Sequence, residues 1–192
     1  MANGEDIFMT QDWANADLDR VLFTQEQIAQ RVQEVGKSIT ADYQGKDLLV
    51  VGVLKGATVF FSDLVRQIHL PLNVDFIAVS SYGSGTNSSG EVRLIKDLDV
   101  SLDNRNVLIV EDILDTGLTL RYLREIFLSR NPASVRICAF LDKAQRRVAD
   151  IQADYVGYEV PDYFVVGYGL DYNEQYRNLS HIAVLKSEVY TK

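Results

Sequence analysis

The feature that most constrains the fold is a stretch in which an apolar strand leads through two acids into a short turn and a helix. Residues 107–110 are apolar, Glu111 and Asp112 follow, and helical spacing begins at Leu120. A strand, a turn and a helix in this order predict one βα unit of an α/β sheet. The free backbone N–H groups at the start of such a helix, together with the helix dipole, favour a bound anion.

The turn itself carries groups that suit a phosphate. It consists of Asp115, Thr116, Gly117, Leu118 and Thr119. The threonine hydroxyls can donate hydrogen bonds, and the glycine allows the backbone to approach a ligand closely. The acids before the turn suit a ligand that also carries hydroxyl groups or a divalent cation, and a ribose 5-phosphate meets both requirements. The alternative is a solvated acidic strand end followed by a capped helix.

This ordered stretch resembles the phosphoribosyl diphosphate (PRPP) binding motif of type I phosphoribosyltransferases. Val-Glu-Asp-Ile-Leu-Asp-Thr-Gly-Leu-Thr at residues 110–119 is similar to the version found in hypoxanthine-guanine phosphoribosyltransferases. The resemblance implies that Glu111 and Asp112 meet the ribose hydroxyls and a metal ion, while residues 115–119 hold the 5-phosphate. It also implies that Asp115 lies near purine N7 as a general base.

A second predicted βα unit brings a lysine to the same edge of the sheet. Residues 48–54 are apolar on both faces, which is typical of a central parallel strand. Lys55 and Gly56 follow at the crossover, where open α/β sheets collect ligands, although a solvated lysine is the alternative. The resemblance assigns them to the loop whose backbone holds pyrophosphate, often with a cis peptide bond. Ala57 stands where many members carry glycine or serine.

Low sequence complexity marks the segment after the next predicted strand. Residues 74–79 alternate as a strand, and glycine and serine dominate residues 82–92. Such a segment cannot bury a core, so it is either a plain hairpin linker or a lid over a reaction centre. The resemblance implies a flexible lid, with Ser81 and Tyr82 shielding the reaction centre.

The last third of the chain carries the residues that the resemblance assigns to a purine. Lys143 follows an apolar strand and is implied to donate to a 6-oxo oxygen, whereas the following residues 144–147 indicate an exposed basic turn. Ala144 replaces the proline that many members have there. The aromatic stretch 163–179 is similar to a purine-binding hood, in which Phe164 stacks on the base and the Val165 backbone contacts its edge.

Two charged residues of the same stretch complete the implied site. Asp171 would hold magnesium through water, and Arg177 would neutralise pyrophosphate. Without the resemblance, aromatic residues at this density indicate ordinary core packing. His69 and His181 have no partners near them in the sequence, so neither is assigned a catalytic role.

The expected fold is α/β, with a mainly parallel central sheet flanked by helices and a small hood subdomain. The 192 residues suit a single domain, with a core at about 40–160, a hood from about 1–20 and 161–192, and the lid at about 82–92. Residues 1–20 show no clear period and indicate a loosely held extension.

Composition excludes several other classes of protein. The net charge of −8 argues against binding to nucleic acid, and no apolar run reaches the length of a membrane span. One cysteine, Cys138, lies in an apolar run, and the N-terminus is too acidic for a targeting peptide. These features predict a cytoplasmic protein, and the resemblance implies a homodimer or homotetramer.

The resemblance implies a purine salvage enzyme with Mg²⁺ as cofactor. The reaction would transfer ribose 5-phosphate from PRPP to N9 of hypoxanthine, and also of guanine, giving IMP or GMP and pyrophosphate. Two alternatives remain: a transferase that prefers xanthine, and a non-catalytic PRPP- or nucleotide-sensing regulator on the same fold. Against the regulator stand Asp115, Lys143, Phe164 and Arg177, a set that binding alone would not require.

Overall fold

A six-stranded sheet forms the centre of the fold. The computed structural model describes residues 12–81 and 92–191. The strands are β1 (Leu18–Phe23), β2 (Leu48–Leu54), β3 (Asn73–Ser81), β4 (Val92–Lys96), β5 (Asn106–Leu114), β6 (Ser134–Asp142), β7 (Tyr155–Glu159), β8 (Val165–Val166) and β9 (Ile182–Leu185). The helices are α1 (Asp12–Asn15), α2 (Gln25–Asp42), α3 (Thr58–Gln67), α4 (Leu118–Leu128) and α5 (Ser187–Tyr190), with one 3₁₀ turn at Ala144–Arg146.

The large sheet has the strand order β4-β3-β2-β5-β6-β7, and every neighbouring pair is parallel except β3 and β4. Helices cover both of its faces, because alternate residues of β5 join different core clusters. Leu108 and Val110 pack with α2 and α3, whereas Val107 and Ile109 pack with α4. Burial on both faces explains why the central strands are apolar throughout. The predicted α/β class is confirmed.

Helix α2 begins where its sequence predicts. The sequence Thr24-Gln25-Glu26-Gln27 has the form of a capping box, and the box is present: Thr24 accepts a hydrogen bond from the backbone of Gln27, whose side chain accepts one from the backbone of Thr24. Ile28 and Ile39 are among the residues of its buried face. Among the described helices, none is long and apolar enough to cross a membrane.

Strand β5 and helix α4 differ from the sequence prediction at their boundaries. The strand continues to Leu114, so Glu111 and Asp112 lie within it rather than after it. The helix begins at Leu118, two residues before the first residue of the apolar period. Gly117, with φ of 81°, directly precedes it, and this left-handed conformation turns the chain sharply from strand to helix.

The two ends of the described chain meet in a second, three-stranded sheet of order β1-β9-β8. Its antiparallel pairs include Leu18 with Leu185 and Val165 with Val184. The interpretation of residues 1–20 as a loose extension is therefore wrong for residues 12–20, which form α1 and the start of β1. Residues 1–11 lie outside the described part of the chain. Buried and exposed residues do not alternate along β1, because the pairing of β1 with β9 contains two register shifts.

Candidate active site

A pocket of about 300 Å³ lies where the carboxyl ends of β2, β3 and β5 meet. Strand ends of parallel sheets are the usual place for ligands in this class of fold. The turn before α4 closes one side of the pocket, and the segment after β8 closes another. Its lining consists of Val53, Leu54, Gly56, Val79, residues 111–117, Thr119, Leu120, Asp171 and Arg177.

Two adjacent acids form the floor of this pocket. Burial raises the pKa of Glu111 well above its ordinary value, and the neighbouring charge of Asp112 raises it further. Burial also raises the pKa of Asp112, against the opposing effect of hydrogen bonds from Glu111 and from the Ile113 N–H, which lies 2.7 Å from Asp112 Oδ1. The ionised pair therefore lacks full compensation from the protein, and a bound cation or a ligand with hydroxyl groups would stabilise it.

The loop after β2 lies directly against one of these acids. A methyl group on Gly56 would lie 1.8 Å from Asp112 Oδ2 and 2.7 Å from Asp112 Cγ, so a larger residue would displace the Asp112 carboxylate. The peptide bond between Leu54 and Lys55 is cis, as the resemblance implies for this loop. The side chain of Lys55 is 69% exposed and does not line the pocket. The loop thus presents backbone to the pocket and its lysine to solvent.

Gly56→Ala should therefore damage the site rather than the fold. We expect kcat/KM to fall by about tenfold to a hundredfold, because the Asp112 carboxylate must move to make room for the added methyl group. Steady-state kinetics with a matched control, Gly45→Ala, would measure this. Gly45 lies in a turn where nothing would contact a new methyl group within 4 Å, so only a modest loss of stability is expected there. Equal activity of the two variants would contradict the prediction.

The turn of residues 115–119 has the geometry of an anion site. No side chain caps the N-terminus of α4, so its first N–H groups remain available to a ligand. Thr116 and Thr119 line the pocket with them. A methyl group on Gly117 would lie 2.6 Å from Ile151 Cγ2, so glycine is required here by both conformation and space.

The acid at the start of the turn connects the pocket to the predicted base site. Arg146 Nε lies 3.1 Å from Asp115 Oδ1, and Arg146 Nη1 lies 3.5 Å from Asp162 Oδ1. The Arg146 contact is an ion pair without a hydrogen bond, so the buried Oδ1 of Asp115 has no hydrogen-bond partner among the described residues. Lys143 is buried, with Nζ 3.8 Å from Asp162 Oδ1, and burial lowers the pKa of its ammonium group.

Charged residues of the hood meet at the other side of the pocket. Arg177 Nη2 lies 2.8 Å from Asp171 Oδ1, and Arg177 Nη1 donates to the Gly169 carbonyl at 2.8 Å. Its Nε is buried and has no hydrogen-bond partner among the residues described. Glu174 lies between two cations, 3.0 Å from Lys55 Nζ and 3.5 Å from Arg177 Nη2. The Lys55 contact lowers the pKa of Glu174.

Phe164 lies in an aromatic group outside the pocket lining. The rings of Phe164 and Tyr190 stack with centroids 4.7 Å apart and an interplanar angle of 21°. Tyr172 meets Phe164 edge-on, with centroids 5.5 Å apart. Val165 is buried in β8 and pairs with β9. The backbone of the small sheet thus fixes the position of this aromatic group.

Comparison with known proteins identifies the arrangement. The family model for the phosphoribosyl transferase domain matches residues 21–173. A hypoxanthine-guanine phosphoribosyltransferase from Bacillus subtilis is 55% identical over 174 residues, which cover 91% of this chain and 97% of the relative. The chain belongs to the hypoxanthine-guanine phosphoribosyltransferase family. A second relative with the same name, from Streptococcus thermophilus, is 51% identical over 176 residues, covering 92% of this chain and 98% of its own.

Solved structures place the fold in the same phosphoribosyltransferase family. The crystal structure of a hypoxanthine phosphoribosyltransferase from Staphylococcus aureus matches with a TM-score of 0.92 and 52% identity. The match covers 96% of this chain and all of that chain. The resemblance drawn from the sequence is therefore confirmed at the level of family and fold.

The pocket of this phosphoribosyltransferase brings together most of the residues that the resemblance assigns to ribose phosphate. Glu111, Asp112 and residues 115–117 line it together with Thr119, Asp171 and Arg177. The remaining assigned residues do not line it: Lys55, Leu118, Lys143, Phe164 and Val165. Ser81 ends β3 opposite Val92 in β4. Tyr82 and the predicted lid up to Glu91 lie outside the described residues.

Three charged residues near the site were not predicted from sequence. Residues 144–146 are exposed, as predicted for this turn, but Arg146 also contacts Asp115, and the side chain of Arg147 is only 16% exposed. Glu174 was also missed. Its contact with Lys55 joins residues 119 positions apart, and nothing local in the sequence indicates such a pair.

Proposed function

We propose that this protein transfers 5-phosphoribosyl from PRPP to N9 of hypoxanthine and guanine, releasing pyrophosphate and forming IMP or GMP. One observation carries the proposal: the pocket joins the partly buried acid pair Glu111 and Asp112 to the N-terminus of α4, which no side chain of the described residues caps. Relatives at 51% and 55% identity bear the corresponding name and support the choice of substrates.

The ribose phosphate would span the two parts of the pocket. Its hydroxyls would donate to Glu111 and Asp112, whose raised pKa values indicate acids that a ligand can stabilise. Its phosphate would accept hydrogen bonds from the N–H groups of the turn and from Thr116 and Thr119. As the bond from C1 to pyrophosphate breaks, C1 gains positive charge, and carboxylates fixed nearby would stabilise that charge.

Pyrophosphate would leave toward the hood. The buried Nε of Arg177 has no hydrogen-bond partner among the described residues, so the site offers a donor that an anion would use. The Gly56 loop lies on the same side and would supply backbone contacts. Glu174 now holds both Lys55 and Arg177, and an arriving diphosphate would compete with that carboxylate for these cations.

The base would bind between Asp115 and the aromatic group of the hood. Lys143 would donate to the 6-oxo oxygen, and Phe164 would offer a ring face for stacking. The Oδ1 atom of Asp115 has no hydrogen-bond partner in residues 12–81 and 92–191, and it would accept the proton carried by the purine ring as N9 forms its bond to C1. Asp171 would fix the opposite edge of the base site together with the Val165 backbone.

Magnesium fits this donor set as part of the PRPP complex. The described residues contain no group of three or more acidic, histidine or cysteine side chains that could hold a metal ion by itself. Glu111, Asp112 and Asp171 nevertheless line one pocket, and Mg²⁺ in such sites takes one or two carboxylates together with phosphate oxygens and water. When bound, the ion would offset the negative charge of the leaving pyrophosphate.

Nucleotide formation from each base would test the proposal. Purified protein, PRPP and Mg²⁺ would be incubated separately with hypoxanthine, guanine and xanthine, and the nucleotide products quantified. We expect IMP and GMP, with xanthine used poorly. Product from xanthine alone would favour a xanthine-preferring transferase. Tight PRPP binding without product from any base would identify a sensing regulator and overturn the proposal.

Removal of magnesium should stop turnover without loosening the fold. We expect EDTA to lower the initial rate at least about tenfold and added MgCl₂ to restore it, since the ion offsets charge on the leaving group. The melting temperature should stay unchanged in EDTA, because the described residues form no metal centre of their own. Full activity in EDTA, or a large fall in melting temperature, would contradict a metal that arrives with PRPP.

A further inference from the structure

The turn that faces the pocket is held from behind by the segment that follows Arg146. The Thr116 carbonyl accepts hydrogen bonds from the N–H groups of Val148 and Ala149, both at 3.0 Å. Gly117 lies against Ile151 of the same segment, with no room for a side chain. The outer surface of the turn is therefore a packed, hydrogen-bonded contact.

Arg147 donates hydrogen bonds to the carbonyl groups of the two residues before Thr116. Its Nε donates to the Asp115 carbonyl at 3.0 Å, and its Nη2 donates to the Leu114 carbonyl at 3.3 Å. Nη1 donates to the Ile151 carbonyl at 2.8 Å, and Nη2 also pairs with the Asp142 carboxylate. The Arg147 and Asp142 side chains are only 16% and 15% exposed, so the pair is shielded from water.

An anion-binding turn needs hydrogen-bond donors on its outer side for a geometric reason. When successive N–H groups point inward at a ligand, the carbonyl groups of the same peptides point outward. Outward carbonyls in a buried setting need partners, or the turn rearranges to find them. A guanidinium supplies several donors in one rigid plane and stays charged, which a lysine cannot match.

The same guanidinium connects the turn to the base side of the site. Asp142 directly precedes Lys143, and the Lys143 N–H donates to the Leu114 carbonyl at 3.0 Å. Arg147 therefore contacts both the end of β5, through Leu114, and the end of β6, through Asp142. It does not line the pocket itself.

We propose that Arg147 is a positioning residue for the transfer reaction. It holds the turn of residues 115–119 in its anion-binding form and sets the spacing between that turn and Lys143. The inference rests on the proposed function, since it concerns how the same pocket recognises a phosphate. It predicts that loss of Arg147 weakens recognition of the 5-phosphate, although Arg147 never contacts that group.

The experiment compares binding of IMP with binding of inosine, which lacks the phosphate. The dissociation constant for inosine divided by that for IMP measures how much the phosphate contributes to binding. A general loss of structure would weaken binding of both ligands and leave this ratio unchanged. In Arg147→Met we expect the ratio to fall at least about tenfold, with a parallel rise in the KM for PRPP. Arg147→Lys should give an intermediate loss, because one donor can still reach Asp142.

Arg130→Met provides the matched control. Arg130 forms a two-bond pair with Asp97 at 2.7 and 2.8 Å, away from the pocket. The Arg130→Met variant removes an arginine–carboxylate pair that does not contact the turn, so the ratio of dissociation constants should stay at the wild-type value.

Each outcome decides whether Arg147 positions the turn for phosphate recognition or only stabilises the structure. An unchanged ratio in folded Arg147→Met means a structural role only and overturns the inference. Should that variant fail to fold, Arg147→Lys carries the test, and a wild-type ratio there overturns the inference equally. Wild-type protein that forms no nucleotide and binds no IMP would overturn the proposed function instead.

Discussion

Asp115→Asn is expected to lower kcat by about a hundredfold to ten-thousandfold, the range for loss of a positioned general base. Asparagine preserves the shape of the side chain but cannot accept the purine proton. Among the described residues, the buried Oδ1 of Asp115 forms an ion pair with Arg146 Nε at 3.1 Å but no hydrogen bond, so this oxygen can still accept a hydrogen bond from a purine proton. Because we propose that the turn backbone, and not this side chain, binds the phosphate, the KM for PRPP should change little. Steady-state kinetics with hypoxanthine would measure both constants.

Asp162→Asn is the control for the charge change at Asp115. Asp162 contacts the same Arg146, at 3.5 Å, and lies 3.8 Å from Lys143 Nζ, but its side chain is 52% exposed and lies outside the pocket lining. An exposed ion pair contributes little free energy, so kcat should change by no more than about fivefold. Near-normal turnover in Asp115→Asn would falsify the assignment of Asp115 as base and would count in favour of a non-catalytic sensor.

Lys143→Met should remove recognition of the 6-oxo group. Methionine has a similar length but no donor, so the base would lose a charged hydrogen bond in a buried position. We expect kcat/KM for hypoxanthine to fall on the order of a thousandfold, as in sites built to hydrogen-bond one substrate group. The decisive comparison is with unsubstituted purine, which lacks the 6-oxo oxygen. Wild-type protein should strongly prefer hypoxanthine, whereas the variant should not.

The control for this variant is Lys37→Met, which removes an exposed lysine from α2. It should leave kcat/KM for both bases unchanged. If Lys143→Met retained the wild-type preference for hypoxanthine over purine, another donor must read the oxygen, and the assignment of Lys143 would be wrong.

Local signals in the sequence were enough to predict the framework of the site. The apolar run at residues 107–110 and the glycine at 117 predict a strand and a turn, because burial on both faces and a left-handed conformation each restrict residue type. The capping box at Thr24 predicts a helix start, because its hydrogen bonds join residues only three positions apart. Each of these features depends on neighbours within a few positions, so the residues themselves report it.

Features that depend on distant partners could not be predicted in this way. β1 is a strand because β9, about 160 positions later, pairs with it. Arg147 is buried because its guanidinium meets carbonyls from 32 and 33 positions earlier in the chain. Two adjacent arginines in a polar segment look alike in a sequence, yet only their distant contacts distinguish Arg146 from Arg147.

The pairing of β1 with β9 has a consequence for synthesis of the protein. Strand β1 leaves the ribosome about 160 positions before β9, so the small sheet can close only after β9 has been made. The large sheet, complete at Glu159, has no such requirement. The strands of the large sheet can thus pair first, while Phe164 gains its fixed position only after β9 has been made.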